Sequence, residues 1–117
     1  MPSAPRNPGD APSEPQVFTL VVELGRKEGD GLPDGATGGA MICYAAARDE
    51  AEAVRETVAV LREAGLNPLD VTGYGSEAER RAEGHEIDTD EAGLMQRARD
   101  ENAVIVAQAT PYYGEET

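Results

Sequence analysis

The sequence predicts a single α+β domain that follows a proline-rich tail. Two stretches place apolar residues three and four positions apart between helix-capping residues, which is typical of amphipathic helices. Four further stretches are short, apolar and bounded by glycine or proline, as strands are. A length of 117 residues suits one domain, which we place at residues 16–114. We expect residues 1–15, which hold five of the eight prolines, to be disordered.

The first strand and a glycine-rich loop open the domain. In the strand from Gln16 to Leu24 the even-numbered positions from Phe18 onward are all apolar, whereas the odd-numbered ones are mixed, so only one side of this strand must be buried. Residues 25–39 contain six glycines and predict a long, mobile hairpin loop. The loop lacks the Gly-Lys-Ser/Thr ending of a phosphate-binding loop, and its aspartates do not match a calcium loop.

The second strand, from Ala40 to Ala46, leads into the better marked helix. Asp49 is a suitable N-cap, with Glu52 three residues later as in a capping box, and Gly65 is suited to the left-handed residue that ends a helix. The stripe predicted to be buried consists of Ala51, Val54, Val58 and Leu61.

The remaining elements complete the sheet. We predict a strand from Asn67 to Gly75, a helical turn from Ser76 followed by a short edge strand at Gly84 to Ile87, and a helix from Asp88 to Asn102. The stretch from Ala103 to Ala109, which is continuously apolar at Val104, Ile105 and Val106, predicts a last, central strand, which we expect Pro111 to end.

This order predicts a two-layer α/β sandwich with both helices on one side of the sheet. After the glycine-rich loop the elements follow the ferredoxin-like order βαββαβ, with an extra N-terminal strand at an edge or as part of an interrupted first strand. The far side of such a sheet would carry Thr19, Val21, Tyr44 and Tyr74, which is too apolar for free exposure to water. We therefore expect a homodimer through this open sheet face.

Charge and composition exclude several classes of function. The net charge of −13 argues against nucleic-acid binding and against an anionic membrane surface, and favours a basic protein partner. One cysteine and one histidine allow neither a disulfide framework nor a Cys/His zinc site, and we expect no metal or cofactor. No stretch is apolar enough to be a signal peptide or a membrane span, so we expect a cytoplasmic protein.

Six residues are candidates for contact with a ligand or partner. They are the aromatic and basic side chains of two short segments: Tyr74, Arg80, Arg81, His85, Tyr112 and Tyr113. The paired arginines could anchor a carboxylate or a phosphate, although pairing with nearby glutamates is the simpler interpretation. A catalytic dyad of Cys43 and His85 is the sharpest enzymatic hypothesis, but a thiol in the middle of a strand is usually inert.

The sequence favours a small, acidic, non-enzymatic interaction module that self-associates and binds a basic partner. Two alternatives stay open: a regulatory domain that binds a small molecule between the glycine-rich loop and residues 74–86, and a small dimeric ferredoxin-like enzyme.

Overall fold

A computed structural model describes residues 15–113. The tail predicted at residues 1–15 therefore lies outside the described residues, except for Pro15, as does Gly114. Four strands and three helices follow in the order β1 (Gln16–Leu24), β2 (Gly38–Ala47), α1 (Glu50–Glu63), β3 (Pro68–Ser76), α2 (Glu77–Ala82), α3 (Thr89–Glu101) and β4 (Val104–Tyr112).

The strands form one antiparallel sheet in the order β3-β1-β2-β4. β1 and β2 are joined by the glycine-rich loop and occupy the centre, so that β3 and β4 form the two edges. The predicted α+β class is confirmed. None of the helices among residues 15–113 is long and apolar enough to cross a membrane.

The helices lie on opposite faces of the sheet, so the prediction of a two-layer sandwich with one bare face is wrong. On the first face, Leu20 and Ala45 pack with Ala53 of α1. On the second face, Val17 and Tyr44 pack with Met95 of α3. Both sides of β1 are therefore buried near its start.

The structure does not confirm the ferredoxin-like arrangement or the extra N-terminal strand. β1 is a central strand rather than an added edge, because the strands on both of its sides pair with it along its length. The short strand predicted at Gly84 to Ile87 is also wrong. These residues form the connection between α2 and α3, where the chain turns at Gly84 with a φ of 91°.

The ends of α1 were predicted better than its buried side. The Asp49 side chain accepts a hydrogen bond from the Glu52 amide, and the Leu66 amide donates to the Leu61 carbonyl across Gly65, as in a Schellman motif. The Glu52 carboxylate bonds the Arg48 amide rather than that of Asp49. The buried residues are Ala53, Thr57 and Leu61, whereas Ala51 is exposed, so the helix is rotated relative to the predicted stripe.

The glycine-rich loop is organised around one ion pair. The Asp30 carboxylate, whose side chain is 2% exposed, accepts hydrogen bonds from the Arg26 side chain and from the amides of Lys27 and Leu32. Arg26 also donates to the Pro33 carbonyl. The bond from Arg26, followed by the bond from the Lys27 amide, lowers the pKa of Asp30 to about 2. The loop therefore has internal bonding that composition alone did not predict.

Candidate functional site

A groove lies on the second face, beyond the part of the sheet that α2 and α3 cover. Its floor is formed by Val21 of β1 and Ile42 of β2, which are directly paired across the two strands. Tyr74 of the edge strand β3 stands at one side and is half exposed. The cavity at this point has a volume of about 260 Å³ and is lined mainly by apolar atoms.

The two helices that close one end of the groove begin at defined caps. Ser76 and Glu79 form a reciprocal capping box that starts α2 directly after β3, which directs Arg80 back over β1. The Asp88 side chain caps α3 by accepting from the Glu91 amide. The Glu91 carboxylate is thereby placed in the first turn of α3, opposite Arg80.

Arg80 is the centre of the polar wall. One of its terminal nitrogens, Nη1, donates to Glu91 Oε2 at 2.7 Å and to Thr19 Oγ1 at 2.9 Å. The Tyr44 hydroxyl donates to the same oxygen of Glu91 at 2.6 Å. Arg80 and Glu91 are only 12% and 20% exposed, so this is a largely desolvated pair that holds the strands and both helices together.

The electrostatics of the wall follow from this bonding. Burial alone would raise the pKa of Glu91, but the hydrogen bonds from Arg80 and Tyr44 outweigh it and leave its pKa below the ordinary value. Burial, together with the hydrogen bond to ionised Glu91, raises the pKa of the Tyr44 hydroxyl well above its usual range. At neutral pH the wall therefore contains one cation and one anion, and its net charge is close to zero.

His85 lies at the mouth of the cavity and is held through its Nδ1 atom. The Arg80 Nε–H donates to this nitrogen at 3.2 Å. Nε2 lies 3.8 Å from a carboxylate oxygen of Glu83. The imidazole lone pair is thus already engaged.

The other end of the groove is acidic. Glu23 of β1 and Asp70 of β3 are direct cross-strand partners, and with Val21, Thr72 and Tyr112 they line a slightly smaller cavity of about 230 Å³. Neither carboxylate forms an ion pair with any residue in the described range 15–113. Like charges at such positions destabilise a sheet slightly. The groove therefore combines an apolar floor with two unneutralised negative charges.

The structure brings together three of the six candidate residues, namely Tyr74, Arg80 and His85. Tyr112 lies at the acidic end of the groove. Arg81 points elsewhere and shares the carboxylate of Glu77 with Arg99, each at 2.9 Å. Tyr113 is 56% exposed and lines none of these cavities.

Nothing in the sequence indicated the role of Glu91, because a glutamate three residues after an N-cap residue such as Asp88 is expected to bond back to the start of its own helix. Its side chain bonds Arg80 and Tyr44 instead. The Cys43–His85 dyad is excluded by position. Cys43 is buried on the first face, where burial raises its thiol pKa to about 11, whereas His85 lies on the second face.

At the closed end of the groove the Arg80–Glu91 pair is internally satisfied, and Nδ1 of His85 accepts a hydrogen bond from Arg80. Within the part of the chain that the structure describes, no three His, Cys, Asp or Glu side chains are arranged to hold a metal ion.

Comparison with known proteins gives a family but no activity. Neither the curated proteins nor the solved structures contain a match to this chain. One family model matches residues 17–113, which span the sheet, all three helices and the groove. The chain therefore belongs to the family described as "Domain of unknown function (DUF8846)".

Proposed function

We propose that this protein is a small acidic interaction module that binds an extended segment of a basic partner in the groove of its second face. The observation that carries the proposal is the continuity of the apolar floor at Val21 with the carboxylates of Glu23 and Asp70. A bound segment would place an apolar side chain beside Tyr74 and a lysine or arginine between the two carboxylates.

The dimensions of the groove support a short chain segment. From Thr19 at the polar wall to Glu23 at the acidic end, the floor follows four residue steps of β1, or about 13 Å. That length accommodates roughly four residues of extended chain at about 3.3 Å per residue. The net charge of −13 would also increase the rate at which a basic partner is encountered.

The homodimer through the open sheet face, expected from the sequence, has less support than a basic partner. Part of that face is covered by α2 and α3. The rest carries Glu23 and Asp70, which a second copy would place near its own two carboxylates. If copies of the chain associate, an interface on a less acidic surface is favoured.

A small-molecule-binding role is the second candidate. The cavity beside Tyr74 combines an apolar floor with converging polar side chains, as ligand sites do, and its volume is near the lower end of the usual ~300–1,000 Å³. The sequence predicts that the glycine-rich loop flanks the ligand. The loop instead joins the end of β1 to the start of β2, which is the end of both strands that lies away from the Arg80 wall. An enzymatic role has one supporting contact, between His85 and Arg80, but that contact occupies the lone pair that a general base would need.

Three capped synthetic pentapeptides test the proposal by calorimetry at low salt. Because side chains alternate along an extended chain, the apolar and basic side chains that face the groove must stand two positions apart. We expect Val-Ser-Lys-Ser-Lys to bind, Ser-Ser-Lys-Ser-Lys to bind more weakly because it lacks the apolar side chain, and Val-Ser-Glu-Ser-Glu not to bind. The double variant Glu23→Gln, Asp70→Asn should weaken binding of the first peptide by about three- to tenfold, which corresponds to ~0.7–1.4 kcal/mol.

The matched control is Glu56→Gln, Glu63→Gln, which changes the net charge equally but alters only α1 on the first face. Equal weakening in the two double variants would show a non-specific charge effect and would reject the groove as the binding site. Equal binding of Val-Ser-Lys-Ser-Lys and Ser-Ser-Lys-Ser-Lys would reject the apolar part of the proposal.

A further inference from the structure

The two edge strands of the sheet differ in how well they are protected against pairing with another strand. β3 contains Pro68, Asp70 and two glycines, Gly73 and Gly75, and its pairing with β1 is interrupted by two register shifts. Charges, prolines and irregularities of this kind normally prevent edge strands from adding a further strand. β3 is therefore a protected edge.

β4 carries much less protection. Residues 103–113 contain no charged side chain, although 28% of the whole chain is charged, and the pairing of β4 with β2 has a single register shift. Three of the six large apolar side chains that are exposed in the described residues lie on or directly after this strand: Val106, Tyr112 and Tyr113. A long, uncharged edge with exposed apolar side chains is an unusual feature in a protein of net charge −13.

Within residues 15–113, no strand pairs with the backbone of β4 on its outer side. The Tyr112 carbonyl accepts from the Thr37 amide at 2.7 Å and so points inward, toward β2. Because backbone groups alternate along a strand, those of Pro111 and Ala109 point outward. Pro111 lacks an N–H, which suits an outward position, and it leaves Ala109 with an outward N–H and C=O available to another strand.

We infer that β4 pairs antiparallel with β4 of a second copy of this chain, so that the two sheets join into one of eight strands. Identical strands related by a two-fold axis are self-complementary, since each outward group of one meets its counterpart on the other. This self-complementarity favours a second copy as the occupant, and charge selects the place of contact. Two copies of net charge −13 repel each other, and the repulsion is smallest where the approaching surfaces carry no charge. The interface leaves the two carboxylates of the acidic end, Glu23 and Asp70, on a separate strand pair.

Sedimentation equilibrium of the full chain from micromolar to millimolar concentration tests the inference. We expect the mass to rise from 12.4 kDa to twice that value, and the dimer to strengthen with added salt, because salt screens the repulsion between the copies. Binding of the basic peptides in the groove should weaken with salt, so failure of one proposal is distinguishable from failure of the other.

Matched variants locate the interface. Val106→Lys adds a charge to the edge, whereas Val60→Lys adds the same charge on α1 at nearly equal exposure, 44% and 42% respectively. We expect Val106→Lys to weaken the dimer at least tenfold and Val60→Lys to leave it unchanged or slightly stronger. Ala109→Pro removes an outward N–H without touching the ladder to β2, and should also weaken the dimer. A chain that stays at 12.4 kDa throughout, or a dimer that Val106→Lys and Val60→Lys affect equally, would overturn the inference.

Discussion

Two buried threonines on opposite faces of the sheet predict opposite effects of one substitution. Thr57 of α1 is fully buried, and its hydroxyl has no hydrogen-bond partner in the described structure. A buried, unsatisfied polar group costs roughly 1–3 kcal/mol. Valine has nearly the same shape and a helix propensity similar to that of threonine. We therefore expect Thr57→Val to raise the free energy of unfolding by about 1–2 kcal/mol.

Thr19 is the matched position. It is 6% exposed, and its hydroxyl accepts a hydrogen bond from Arg80 at 2.9 Å. Hydrogen bonds to charged groups contribute roughly 1.5–3 kcal/mol, and part of that is retained because Arg80 keeps its bond to Glu91. We expect Thr19→Val to lower the free energy of unfolding by about 1 kcal/mol.

Urea denaturation followed by circular dichroism gives both values. For a domain of this size, 1 kcal/mol corresponds to a shift in Tm of about 4–8 °C, so thermal unfolding provides an independent check. The reasoning is refuted if Thr57→Val is destabilising by as much as Thr19→Val. Such a result would mean that the Thr57 hydroxyl is bonded in solution, for example to a carbonyl one turn earlier in α1.

Three further predictions concern charge. Asp70→Lys should stabilise the fold slightly by turning the repulsion with Glu23 into attraction, yet abolish binding of the basic peptide; unchanged binding by calorimetry would contradict it. The folded-state pKa of Glu91 is depressed, so its pair with Arg80 should stabilise the protein at pH values above the ordinary glutamate pKa of 4.5 and lose that effect as the pH falls below it. Glu91→Gln should therefore reduce the fall in the free energy of unfolding at acid pH, measured by urea titration. Asp30→Asn should speed amide hydrogen exchange in residues 26–36, because it weakens the hydrogen bonds that the carboxylate accepts from Arg26 and from the Lys27 amide. Asp34→Asn, which we expect to leave the hydrogen bonds of the loop unchanged, should not alter the exchange rates.

Local features of the sequence predicted local structure well. Both ends of α1 follow from Asp49 and Gly65, because a cap is formed by residues within one turn of the helix. Asn102 likewise ends α3 in the left-handed conformation, with a φ of 51°. The residues that determine such a cap lie next to it in the sequence, so the cap can be predicted without knowing the rest of the fold.

The side of the sheet on which each helix lies could not be read from the same patterns. The odd-numbered positions of β1 include Val17 and Val21 as well as polar residues, and they did not distinguish a half-covered face from a bare one. α3 covers Val17 but does not cover Val21, which lies in the floor of the groove. A face that is covered along only half of its length produces this mixed pattern.

The candidate site was predicted in part for a related reason. Tyr74, Arg80 and His85 lie within twelve residues, so their proximity in sequence carried over into the fold. Glu23, Tyr44 and Glu91 come from separate elements, and only tertiary packing brings them to the same groove. In a chain with 23 acidic residues, nothing local marks two carboxylates as different from the others.

The most direct test of the central claim is an amide chemical-shift map of the ¹⁵N-labelled protein titrated with the Val-Ser-Lys-Ser-Lys peptide. We predict saturable shifts concentrated at Val21, Glu23, Ile42, Asp70 and Tyr74, with α1 unaffected. Shifts spread evenly over the acidic surface, or centred on α1, would contradict the proposal that the groove of the second face is the binding site.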